Sequence, residues 1–130
     1  MQRYPHGTIS LVLDCADLRR SATFWCELLD YRAEGQADGR YLSLVPAVGS
    51  GIELLLQRVP EAKTGKNRLH LDLRTSSLAD EVSRAPRAGA RLMTSEPLSE
   101  DGWSWHILAD PDGNEFCVLQ PPGEFHPPAS

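Results

Sequence analysis

Apolar and polar residues alternate from Thr8 to Cys15, with Ile9, Leu11, Leu13 and Cys15 on one side and Thr8, Ser10, Val12 and Asp14 on the other. A period of two is that of a strand with one buried face. The spacing then changes. Leu18, Ala22, Trp25, Leu28 and Leu29 recur at helical intervals behind Asp17, whose carboxylate is placed to accept from the first free backbone amides of a helix. Three further strands are predicted at Tyr31 to Gln36, Arg40 to Val45 and Ile52 to Arg58. A tight turn at Asp38-Gly39 joins the first two, because glycine tolerates the positive φ such turns require.

The same order then returns. Leu69, Leu71 and Leu73 alternate with His70, Asp72 and Arg74, a second half-buried strand over residues 68–74. Ser77 with Asp80 reads as a capping box opening the next helix, Pro86 predicts a kink or an early end, and Gly89 marks the stop. Strands are predicted at Ala90 to Met93, Trp103 to Ala109 and Glu115 to Leu119, with Asp110-Pro111-Asp112-Gly113 turning between the last two. A shift of 60 positions lays Ser10 on His70, Leu11 on Leu71, Leu13 on Leu73 and Leu18 on Leu78. The expected architecture is therefore α+β, a βαβββ unit written twice. Module one covers about residues 8–58, a linker 59–67, module two about 68–120, and a proline-rich extended tail 121–130, all within one domain of 130 residues.

Composition narrows the classes. Hydrophobic residues at 41% and charged residues at 24% are ordinary globular usage, so a buried core is expected. Thirteen Lys and Arg against 18 Asp and Glu give a net charge of −5, which repels a phosphate backbone and argues against nucleic acid as partner. Lys63, Lys66 and Arg68 form the one local basic cluster, read as a solvated loop that would attract an anion if it bordered a cleft. Three cysteines without a CxxC pair point to a reducing, cytoplasmic setting. Neither a secretory signal nor an apolar run long enough for a membrane span is visible, and no phosphate-binding glycine motif occurs.

The candidate chemistry lies on the polar strand faces. If the leucines pack beneath helices, Ser10, Asp14, Glu53, Gln57, His70, Asp72, Glu115 and Cys117 line the opposite faces, either as a polar cleft or as plain solvated surface. Trp25, Trp103 and Trp105 suit the core or a stacking wall. His70 is the candidate catalytic residue, a general acid or base that Glu53 or Asp72 would orient. Cys117 reads as a nucleophile if His70 lowers its pKa, and as an inert buried thiol otherwise. His106 falls on the other strand face, at the surface or towards a helix, while His6 and His126 lie in the tails without an assigned role.

The runs LVLDCADLRRSATFWCELL, NRLHLDL and ADPDGNEFCVLQ together resemble the vicinal oxygen chelate superfamily, which includes glyoxalase I, bleomycin-resistance proteins and extradiol dioxygenases, and in particular its small bacterial glyoxalase-like members. The resemblance covers about residues 8–120. It implies two βαβββ modules whose open curved mixed sheets form a half-barrel cleft with helices on the outer face, commonly in a homodimer. It also implies a divalent metal held by four side chains, from the first and last strands of each module. His70 matches a ligand position and Glu53 is compatible with one, but Ser10 stands where a histidine, glutamine or glutamate is usual, and Cys117 where a glutamate is usual. A hydroxyl and a thiol replace hard ligands poorly, so glyoxalase I activity is not expected. The reading is a metal-free binder of a small organic molecule, with Trp25 or Trp105 stacking and Ser10, Glu53, Gln57, His70, Asp72 and Cys117 as polar contacts. The alternative is a lyase, isomerase or dioxygenase-type enzyme, using zinc on Glu53, His70 and Cys117 or acid-base chemistry at His70.

Overall fold

A computed structural model of the chain describes residue 3 and residues 9–123; His6, His126 and most of the proline-rich tail lie outside them. Strand β1 spans Leu11–Cys15 and helix α1 Leu18–Leu29, followed by β2 (Tyr31–Glu34), β3 (Tyr41–Pro46) and β4 (Leu54–Arg58). The second half holds β5 (Leu71–Arg74), α2 (Leu78–Ala88), β6 (Arg91–Leu92), β7 (Leu98–Glu100), β8 (Trp103–Ala109) and β9 (Glu115–Gln120). The offset of 60 holds at both openings: β1 and β5 begin at Leu11 and Leu71, α1 and α2 at Leu18 and Leu78. Each half forms its own mixed sheet, in the orders β1-β4-β3-β2 and β5-β9-β8-β6, with β7 also paired to β8. In each, the first strand runs parallel to the last and the remaining pairs are antiparallel.

The helices begin as their caps dictate. Asp17 accepts from the Arg20 amide at 3.1 Å. Ser77 accepts from the Asp80 amide at 3.4 Å, but the reciprocal half of the expected box is absent, because the Ser77 amide donates instead to the Thr75 hydroxyl at 3.1 Å. Helix α2 runs through Pro86 to Ala88 and ends at Gly89, whose φ of 122° only glycine adopts readily. The proline falls in the last turn, so it does not end the helix as anticipated.

Three local expectations shift. Gly39 does not take the positive φ in the β2–β3 connection; Gly35 does, at 106°. Ile9 and Leu69 continue the alternation on paper yet precede their strands and are exposed. The strand opposite the start of β8 was not anticipated: β7 and β8 are joined at Asp101-Gly102, both with positive φ, so two short strands share the β8 edge on which one was expected.

Both halves feed one core. Phe24 and Trp25 of α1 meet Phe116 of β9, with Trp25 edge-on to Phe24 at 5.0 Å and 5.1 Å from Phe116 between ring centroids. The turn between β8 and β9 reaches across as well. Asp110 accepts from the Trp25 indole at 3.1 Å, Asp112 from the Ala16 amide at 2.8 Å and from Arg20 at 2.9 Å, and Asn114 donates to the Asp14 carbonyl at 2.9 Å. Arg84 of α2 donates to the Glu27 and Leu28 carbonyls at 3.1 and 2.7 Å, satisfying the C-terminal end of α1.

Candidate functional site

Register fixes which side chains share the face of the second sheet turned away from the helices. Asp72 pairs with Cys117 and Cys117 with Ile107, while Leu119 pairs with Trp105 and Trp105 with Leu98. Paired residues point the same way, so the row runs across four strands. His106, one residue off this row, is buried on the helix side, its Nδ1 2.9 Å from the Thr94 hydroxyl.

This face carries a cavity of about 450 Å³, bordered by His70, Asp72 and Cys117 at one end and by Trp103, Trp105 and Leu119 along its wall. His70 precedes β5 by one residue and is half-exposed; its Nε2 lies 3.1 Å from Asp72 Oδ1. His70, Asp72 and Cys117 present ligand atoms within 4.8 Å of one another. At the rim, Lys66 pairs with Glu115 at 2.8 Å, and the Asn67 amide donates to the same carboxylate at 3.3 Å. The Lys66 hydrogen bond holds the Glu115 carboxyl below its usual range. The chain from 59 to 70 lacks regular structure, so this stretch extends beyond the expected linker and is pinned to the start of β9.

The expected site residues thus divide. His70, Asp72, Trp105 and Cys117 share the cavity, whereas Ser10 borders a neighbouring one of about 440 Å³ together with His70 and Asp14. Trp25 touches that second cavity only from within: the residue is 1% exposed and its ring belongs to the core, so the stacking role for Trp25 is replaced by a structural one. Glu53, one residue before β4, accepts from the Ser43 hydroxyl, and Gln57 of β4 donates to the Tyr41 hydroxyl at 3.3 Å. A larger depression of about 960 Å³ opens beside Arg19, Arg20 and Arg58, away from every expected site residue.

Of the four expected ligand positions, His70 and Cys117 fall in one group of candidate ligands among the described residues. Glu53 is engaged elsewhere, Ser10 offers only a hydroxyl, and Glu53 is absent from the group that His70 and Cys117 form with Asp72. Burial, followed by the charge of Asp72 beside it, pushes the Cys117 thiol up to about 11. A thiol lowered by His70 into a nucleophile is therefore replaced by a protonated, buried one. Iodoacetamide at neutral pH is expected to leave Cys117 unmodified by mass spectrometry. Asp72→Asn should quicken its alkylation by roughly threefold or more. Rapid labelling of the unaltered chain would restore the nucleophile.

Glu100 and Asp101 were not among the expected contacts, although Asp101-Gly102 is a turn signal, and Trp103, read as core or stacking wall, borders the cavity two residues from Trp105 on one strand. Residues 10–119 match the family model described as glyoxalase-like domain. Among solved structures, a hypothetical protein from S. aureus is similar at 18% identity and a TM-score of 0.66, covering 87% of this chain and 96% of that one. The fosfomycin resistance protein FosX from Listeria monocytogenes is similar at 13% identity and a TM-score of 0.71, covering 88% and 92%. A glyoxalase/bleomycin resistance protein/dioxygenase family enzyme from Burkholderia phytofirmans gives 15% and 0.68, covering 85% and 95%. No curated protein matches the chain by sequence.

Proposed function

The chain belongs to the glyoxalase-like domain family, within the vicinal oxygen chelate superfamily, and from that premise we propose that it binds a small organic molecule in the second-sheet cavity without the superfamily's metal centre. The observation that carries this reading is the composition of the cavity wall. Trp103, Trp105, Ile107 and Leu119 give a flat apolar flank, and His70, Asp72 and Cys117 a cluster of hydrogen-bonding groups at one end. A mostly apolar wall with a few convergent polar groups suits a small molecule better than an ion or a polymer. The proposal includes a homodimer and a cytoplasmic setting. No helix among the described residues is long and apolar enough to cross a membrane.

The convergence of His70, Asp72 and Cys117 favours a second reading, an enzyme in which these three hold zinc, with Asp72 in place of Glu53. Titration of zinc into chelator-treated protein separates the two. Binding of about one equivalent that survives dialysis and disappears in His70→Ala would overturn the metal-free reading. Protein that stays metal-free, with tryptophan fluorescence responding to members of a small-molecule library and losing that response in Trp105→Ala, is the expected result.

A further inference from the structure

The charges around the cavity are unequal in number and in freedom. Asp72, Glu100, Asp101 and Glu115 border it, against Lys66 and His70. Lys66 is already tied to Glu115 at 2.8 Å, which removes both from the balance. Arg74, the other nearby cation, lies over the Trp103 ring at 5.4 Å from its centroid. Among the described residues the one basic group paired with Asp72 is the half-exposed His70, and Glu100 and Asp101 make no ion pair. The rim therefore keeps uncompensated carboxylates next to two indoles, and the Arg74 contact shows that one of those indoles accepts a cation on its face.

From this we infer that the cavity selects organic cations: an amine or quaternary ammonium group carried on a compact apolar or aromatic body. The body would lie along Trp105 and Leu119, and the positive charge would face Asp72, Glu100 and Asp101. The net charge of −5 on the chain adds a long-range attraction of the same sign. The basic loop residue Lys66, which would draw an anion if free, is neutralised where it stands. The inference rests on the cavity being a ligand site, as proposed above, and adds the charge of the ligand.

The test uses three probes of similar size, benzyltrimethylammonium, benzyl alcohol and phenylacetate, titrated calorimetrically and by tryptophan fluorescence into the full chain. The cation is expected to bind about tenfold or more tightly than either of the others, and added salt should weaken it. Glu100→Gln with Asp101→Asn removes two rim charges at exposed positions, and asparagine tolerates the φ of 52° at Asp101. This double variant should lower the ratio of cation affinity to benzyl alcohol affinity severalfold. Equal or tighter binding of benzyl alcohol or phenylacetate, abolished by Trp105→Ala, would overturn the charge selectivity and leave the ligand site standing. Failure of all three probes at millimolar concentration would overturn the ligand site and the inference with it.

Discussion

Trp25→Ala is expected to lower the free energy of unfolding by about 4 kcal/mol, the largest effect of any single change considered. The residue is 1% exposed, and it packs against Phe24 from its own helix and Phe116 from the other half of the chain. Removing the indole leaves a void between the halves and takes from Asp110 the donor 3.1 Å away. Both losses act together, because the void is too well enclosed to collapse without moving two sheets. Trp25→Phe, which keeps most of the packing and loses only the donor, should cost about 1–2 kcal/mol. Urea denaturation of the three proteins measures this directly. A loss below about 1 kcal/mol for Trp25→Ala would return the residue to the ligand-stacking role read from the sequence.

Asp110→Ala should follow at about 3 kcal/mol, with no change in hydrophobic packing to account for it. The Asp110 carboxylate accepts four hydrogen bonds: from the amides of Asp112 and Asn114 at 3.0 and 2.8 Å, and from the Trp25 indole and the Asn114 side chain, both at 3.1 Å. Alanine leaves these donors in a site from which water is largely excluded. Asparagine is almost the same shape, yet its amide group would face donors on one side or the other, so Asp110→Asn should recover only part of the loss. Burial raises the Asp110 carboxyl above its ordinary 3.8 in spite of these bonds. The folded state thus holds this proton more firmly than the unfolded chain. The added stability that comes with binding this proton is fully present below 3.8 and is lost as pH rises through the folded value, leaving what the hydrogen bonds to the carboxylate contribute. The stability gap between the unaltered chain and Asp110→Ala should accordingly narrow from acid towards neutral pH. A gap that widens over the same interval would show the ionised form to be the one the fold prefers.

The sequence pattern carried the element order, and it named His70, Asp72, Trp105 and Cys117, which border one cavity, for identifiable reasons. Alternation around Leu11 and Leu71 and helical spacing behind Asp17 are imposed by burial, so they reappear in the structure with the offset of 60 intact. Alternation does not say where pairing starts, which is why Ile9 and Leu69 were assigned to the buried face and are exposed. The helical spacing had already put Trp25 on the apolar stripe with Leu18 and Ala22. Reading its indole as a ligand contact gave chemistry priority over a period that indicated the core. Asp72 meets Cys117 through strand register, and Glu53, which accepts from the Ser43 hydroxyl, is absent from the group that His70 forms with Asp72 and Cys117. Neither fact is written in local spacing. The β7 hairpin was legible at Asp101-Gly102, but the polar stretch before it hid the strand.

The turn between β8 and β9 sends Asp110, Asp112 and Asn114 into the first half of the chain, while its counterpart between β3 and β4, residues 47–53, has Glu53 as its one charged group, and that carboxylate accepts from Ser43 within its own half. The two halves share a plan, yet each has become the only template on which the other can be completed. An ancestor made of identical halves could part and re-pair with any copy of itself. This chain, opened between β4 and β5, would yield one fragment with an unsatisfied indole and another in which Asp112 loses both of its cross-half donors, while Asp110 and Asn114 keep only each other and their own turn. The joining contacts run from the β8–β9 turn into the first half, so a second copy of the first half has nothing with which to replace them.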